Sequence, residues 1–180
     1  MNYADLAADA ALPRTTVQRW LSFLETSYLV TILPPFFESK AKRLIKTPKL
    51  FGLDTGLGLY LAGATGLSDN DNTPKAGAWL EHLVLNDLLA WRDLKLRRPG
   101  VYFRRTASGE EIDFVVESGR RLLPIEVKSA RAARVADARA LEAFCDEFGA
   151  RAPFGLLLYD GKESLRLTDR VVAAPLGAIL

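Results

Sequence analysis

Three carboxylates and one lysine carry the chemistry this sequence offers. Asp113 lies in the apolar run Ile112 to Val116, and Glu126-Val127-Lys128 closes the next one, Leu122-Leu123-Pro124-Ile125. Side chains alternate faces along a strand, so Glu126 and Lys128 point one way and Val127 the other. If the two runs pair as a hairpin, Asp113 and Glu126 approach across it. Glu81 shares a helical face with Ala78, Val84, Leu85 and Leu88. A lone carboxylate there costs stability unless a metal, Lys128 or an arginine pairs with it. Metal-assisted phosphodiester hydrolysis uses such a set. Mg2+ (or Mn2+) takes hard oxygen ligands and leaves room for water and phosphate. Asp113 and Glu126 are expected as metal ligands and Glu81 as a further, water-mediated one. Lys128 is expected to orient the water or stabilise developing charge. Taken alone, the triplet also reads as a strand ending in a solvated ion pair, worth little.

The elements that must position these residues follow from periodicity. Residues 76–92 form a long apolar helix carrying Glu81. Strands are predicted over 101–105, 111–117 and 120–129, with turns at Gly109 and Ser118-Gly119. Glu111 and Asp113 are expected on one face of the middle strand, with Ile112, Phe114 and Val116 on the other. Residues 135–148 read as an amphipathic helix through Leu141, Phe144, Cys145 and Phe148, stopped at Gly149. A fourth strand follows over 154–159, and another short one over 170–173. The predicted class is α/β (α+β mixed), in the order helix, three strands, helix, strand. Arg104 and Arg105 close the first strand, and one of them is expected on the site face. His82, next to Glu81, is expected to face away from it.

The front half reads differently. Residues 3–10 and 14–25 are two short helices broken at Leu12-Pro13, the second with Val17, Trp20, Leu21 and Leu24 on one stripe. Arg14, Thr15, Thr16 and Arg19 fall on its free face, a helix-turn-helix pattern that suits DNA. Strands over 28–33 and 46–51 flank a basic loop and suggest a wing, with Lys46 and Lys49 as further nucleic-acid contacts. Asp54-Thr55-Gly56 can cap a short helix. The predicted division is a winged-helix-like domain over 1–62, a polar linker over 63–75, and an α/β domain over 76–180.

Composition bounds the rest. The chain has 180 residues, 49% apolar and 26% charged, which describes a globular protein. Residues 1–50 hold seven basic side chains against four acidic ones, whereas the remainder is balanced. A single cysteine, Cys145, excludes an internal disulfide. With no long apolar run and no secretory pattern at the N-terminus, the expected compartment is the cytoplasm and no membrane partner is predicted.

Several short motifs together resemble a known group. They are Tyr28-Leu29-Val30 through Leu33-Pro34-Pro35-Phe36, Lys46-Thr47-Pro48-Lys49-Leu50-Phe51 and Asp54-Thr55-Gly56-Leu57 in the front half. Trp79-Leu80-Glu81-His82-Leu83-Val84, Phe103-Arg104-Arg105 and Gly109-Glu110-Glu111-Ile112-Asp113-Phe114-Val115 follow in the second half. Over roughly residues 3–160 the chain resembles the C-terminal domain of unknown function of prokaryotic AAA-type ATPases. The second half is similar to the PD-(D/E)XK nuclease-like fold, in the form Glu…Asp…Glu-x-Lys. The resemblance implies a winged helix joined to an αβββαβ nuclease-like core, DNA as partner, and an ATPase module or ATPase partner. No phosphate-binding loop with its lysine occurs here, so ATP hydrolysis by this chain is not expected. The alternatives are a non-catalytic module that docks an ATPase, and a transcription regulator acting through residues 1–50.

Overall fold

A computed structural model describes residues 3–37, 48–63, 76–106 and 109–178. The chain is a mixed α/β protein with a six-stranded mixed sheet and a separate two-stranded one. Helices α1 (Tyr3–Asp9) and α2 (Arg14–Thr26) close on a small core of Ala7, Val17 and Leu21. Trp20 departs from the predicted stripe. It is 60% exposed and meets Phe23 edge-on at 6.2 Å. The short α1 supplies only enough surface to cover Val17 and Leu21, so the next position round the helix is left in solvent.

Strands β1 (Val30–Leu33) and β2 (Lys49–Gly52) pair antiparallel, from Val30↔Gly52 to Leu33↔Lys49. Lys46 lies outside the described residues, as does all of the predicted linker beyond Gly63. Helix α3 (Thr55–Leu61) begins as expected, with Asp54 accepting from the Leu57 N–H at 2.8 Å.

The large sheet is entered through α4 (Ala76–Asp93). Strands β3 (Gly100–Arg105), β4 (Glu111–Ser118) and β5 (Arg121–Lys128) form an antiparallel meander. Gly119, at φ +62°, makes the β4–β5 turn, where a side chain would be strained. Helix α5 (Arg139–Phe148) follows a 3-10 turn over Val135–Ala138, where the sequence pattern predicts one continuous helix. Strand β6 (Gly155–Tyr159) then lies parallel to β5. Strands β7 (Leu165–Arg166) and β8 (Val171–Pro175) complete the order β3-β4-β5-β6-β8-β7. Helix, three strands, helix and strand thus occur in the predicted order.

Two buried clusters lie on opposite sides of this sheet. One packs α5 through Leu141, Phe144 and Cys145 against Ile112, Val115 and Leu122. The other packs α4 through Val84 and Leu85 against Phe103, Phe114, Val116, Ile125 and Val127. The front ribbon joins both. Leu33 and Phe51 enter the α4 cluster and Phe36 the α5 cluster, while the Phe36 N–H donates to the Phe103 carbonyl at 2.6 Å. Among the described residues no helix is long and apolar enough to cross a membrane.

The predicted alternation of β4 fails at one point. Tyr102 pairs with Val115 but Arg104 with Ile112, so two steps along β3 match three along β4. The extra residue is a β-bulge at Asp113-Phe114. It shifts the phase of the strand, so Ile112 faces the α5 side while Phe114 and Val116 face α4.

Candidate functional site: a buried carboxylate pair

The bulge sits where β4 and β5 stop pairing. Their ladder ends at Phe114↔Ile125. Beyond it the Val127 N–H donates to Asp113 Oδ2 at 2.8 Å, so a side chain takes the place of a backbone partner. Asp113 and Glu126 are the buried charged side chains of the described chain, 8% and 9% exposed. Ile125 and Val127 lie in the α4 cluster, so by alternation Glu126 and Lys128 face the α5 side. Lys128 Nζ donates to Glu126 Oε1 at 2.6 Å, and Glu126 Oε2 is buried without a hydrogen-bond partner.

Glu81 approaches from α4. Its cationic partner is Lys49 of β2, with Nζ 3.8 Å from Glu81 Oε2 and in direct contact with Glu111 Oε1. The sequence suggested a metal, Lys128 or an arginine for that role. It missed Lys49 because the contact joins β2 to α4 and β4 across long stretches of chain. Lys128 is likewise committed to Glu126, its neighbour on the same strand face, rather than to Glu81 or Asp113.

The electrostatics follow from burial and crowding. Loss of water raises Glu81 to about 7, helped by repulsion from Asp113 and opposed by Lys49. Burial, then the Asp113 charge, pushes Glu126 to about 7 against the hydrogen bond from Lys128. Asp113 is also raised by burial, although the Val127 N–H and both lysines pull it down. For Lys128, burial opposes the charge, but the bond and charge of Glu126 outweigh it and hold the ammonium above the ordinary lysine value.

The other predicted residues lie elsewhere. Arg104 faces α5, not the acids. Its guanidinium donates to Glu147 Oε2 at 2.5 Å and lies over the Phe144 and Phe148 rings. Its alternation partner Arg105 is exposed and makes no ion pair among the described residues. Arg14, Thr15 and Arg19 are exposed on α2 and Thr16 is partly covered. Over the described residues 3–37 the two arginines face three acids, Asp5, Asp9 and Glu25, so the basic excess of the front half stems from residues 38–50. His82 packs between Phe51 and Trp79, with ring centroids 4.9 and 5.3 Å away.

A divalent cation can be tested against this geometry. Among the described residues no group of three or more His, Cys, Asp or Glu side chains stands ready to hold a metal. Two carboxylates do suffice for Mg2+ when water and phosphate complete its shell. Asp113 and Glu126 meet that requirement: they are buried and repel each other electrostatically, and Glu126 Oε2 has no side-chain donor. The donor set fits Mg2+ or Mn2+, with Glu81 within electrostatic reach.

Comparison with known proteins finds two matching family models. A domain of unknown function, DUF8612, matches residues 1–68, and a second, DUF4143, matches residues 76–179. An uncharacterized protein of Mycobacterium tuberculosis is 33% identical over 178 residues, or 98% of this chain. An uncharacterized protein of Mycobacterium bovis matches to the same extent. The chain spans 38% of the length of these relatives. No solved structure matches it. With residues 76–179, more than half of its length, matched, the chain belongs to the DUF4143 family, the domain of unknown function that contains Asp113 and Glu126.

Proposed function

We propose that residues 76–180 form a nuclease-like domain of the PD-(D/E)XK kind, acting on nucleic-acid phosphodiesters with Mg2+ or Mn2+. The winged-helix-like front segment holds the DNA. The observation that carries this reading is the buried pair Asp113 and Glu126 at the parted end of β4 and β5, with Glu126 Oε2 lacking a partner. Charge points the same way. Glu81, Glu111, Asp113 and Glu126 carry four negative charges and Lys49 and Lys128 two positive ones. The deficit of two is that of one divalent cation. Without a cation, the cluster instead holds protons near neutrality on Glu81 and Glu126.

Asp113 and Glu126 would hold the metal, and Glu81 would orient a water beside it. A bound divalent ion supplies an acidified water and neutralises charge at the phosphate. Lys128, kept protonated by Glu126, presents a point charge to the developing negative oxygen. The test is Mn2+ binding and metal-dependent nicking of plasmid DNA by the wild type, Asp113→Ala and Lys128→Ala. Equal cleavage by all three ends the proposal.

A second reading has its own support. The two lysines already neutralise half of the acid charge from within, as a site does when it has lost its metal. The domain would then be a non-catalytic module that docks an ATPase, either a partner or a module in the rest of a longer protein. It predicts an intact fold and no metal-dependent cutting. Robust single-turnover cleavage sinks it.

A further inference from the structure

We infer that Lys49 is the phosphate-contacting cation of the acid site, supplied to the DUF4143 domain by the front segment. The inference rests on the metal reading above. Lys49 opens β2, and its side chain crosses to the acids of α4 and β4. Its ammonium stands 5.3 Å from the centroid of the Phe103 ring, which limits how far it can retreat. By alternation Lys49 serves the α4 face of the sheet and Lys128 the α5 face, so the two ammoniums bracket Asp113.

The two lysines differ in what holds them. Lys128 is bound to a carboxylate that is only 11% exposed, so its departure leaves a buried charge uncompensated. The Lys49–Glu111 pair keeps 25% and 34% of its side-chain surface in water. Glu111 is thus less desolvated than Glu126, so exchanging it for another oxygen partner costs less than breaking the Lys128–Glu126 pair. A divalent cation on Asp113 and Glu126 makes good the deficit of two charges. An entering phosphodiester then adds one negative charge with no partner. Lys49 is the ammonium free to meet it, because Glu111 returns to solvent without a buried penalty. A lysine ammonium binds phosphate as a compact point charge and needs no fixed geometry. The acid site is therefore composite, with its metal-holding acids in the region matched by one family and its phosphate cation in that matched by the other.

The test uses the full chain and a duplex DNA oligonucleotide in Ca2+, which permits binding without cutting, titrated over a range of salt. Mn2+ affinity is measured in parallel by electron paramagnetic resonance. Lys49→Met is expected to weaken DNA binding by about tenfold and to reduce the slope of log affinity against log salt by about 1. Its Mn2+ affinity should hold or rise, and Lys49→Arg should restore the DNA slope. Normal Mn2+ uptake with an unchanged slope overturns the assignment, as does wild-type protein that takes up Mn2+ but no DNA. Loss of Mn2+ affinity and thermal stability in Lys49→Met, unrescued by arginine, marks a structural brace and also overturns it. Absence of Mn2+ uptake by the wild type removes the metal reading first and Lys49 with it.

Discussion

Two charged regions of one sheet are resolved in opposite ways. On the α5 side, Arg104 meets one acid, Glu147, and two aromatic faces, Phe144 and Phe148, with Phe36 against the same rings. One charge has one counter-charge, although Nη1 of the guanidinium is, like Glu126 Oε2, buried without a hydrogen-bond partner. On the α4 side and at the parted strand ends, four carboxylates share two lysines, and a buried oxygen of Glu126 has no donor. A region that only holds the fold together is brought close to neutrality within itself. On the function proposed above, the region left short of positive charge is completed by a divalent cation.

The widest separation of the two regions should come from Asp113→Asn. The amide oxygen can still accept from the Val127 N–H, so the strand end should survive while divalent-metal affinity falls by about 100-fold or more. Isothermal titration with Mn2+ measures it; unaltered affinity makes the acid pair as structural as the Arg104 corner. Next comes Phe144→Ala, which should cost about 3–5 kcal/mol in urea unfolding because it empties the centre of the α5 cluster. It should leave the metal affinity of the remaining folded protein unchanged.

The third contrast is in pH. Glu81 and Glu126 ionise near 7 in the folded chain and near the ordinary 4.5 when unfolded. Between those values the folded state binds more protons, so stability must fall as pH rises from about 4.5 through 7. The penalty is complete above the folded values. Glu126→Gln should flatten this profile and make the metal-free protein more stable than wild type at pH 8, by roughly 1–3 kcal/mol. Urea midpoints at pH 5 and pH 8 decide it, and a wild type more stable at pH 8 would contradict the assignment. The smallest effect expected is that of Arg104→Ala, about 1–2 kcal/mol and independent of pH over the same range.

The order of elements was legible because turn residues and periodicity are local. Asp113 and the Glu126-Val127-Lys128 triplet stood out because they put charge into apolar runs. The phase slip at Asp113-Phe114 was not legible, since β3 imposes it through pairing and no residue in β4 announces it. The sequence reads Lys49 as a nucleic-acid contact of the wing; its contacts with Glu81 and Glu111 were not legible because they depend on the ribbon docking against the large sheet. Trp20 was placed inside because periodicity gives a helix's apolar stripe but not how much of it a partner covers.

The bulge also sets a genetic vulnerability. Because side chains alternate with period two, removing one residue between Ile112 and Val115 would let β4 run straight beside β3. Glu111 and Ile112 would stay opposite Arg105 and Arg104, and Val115 and Val116 would keep their places, while one residue would have to fill the position that Asp113 and Phe114 share. A loss of three bases here would therefore remove either the acid or the apolar side chain of the bulge, with Glu81, Glu126 and Lys128 all still encoded. Sequence inspection that looks only for those acids and that lysine would score such a gene as intact. In this chain the spacing from Glu111 to Val116, and not the acids alone, sets how Asp113 sits between β3 and β5.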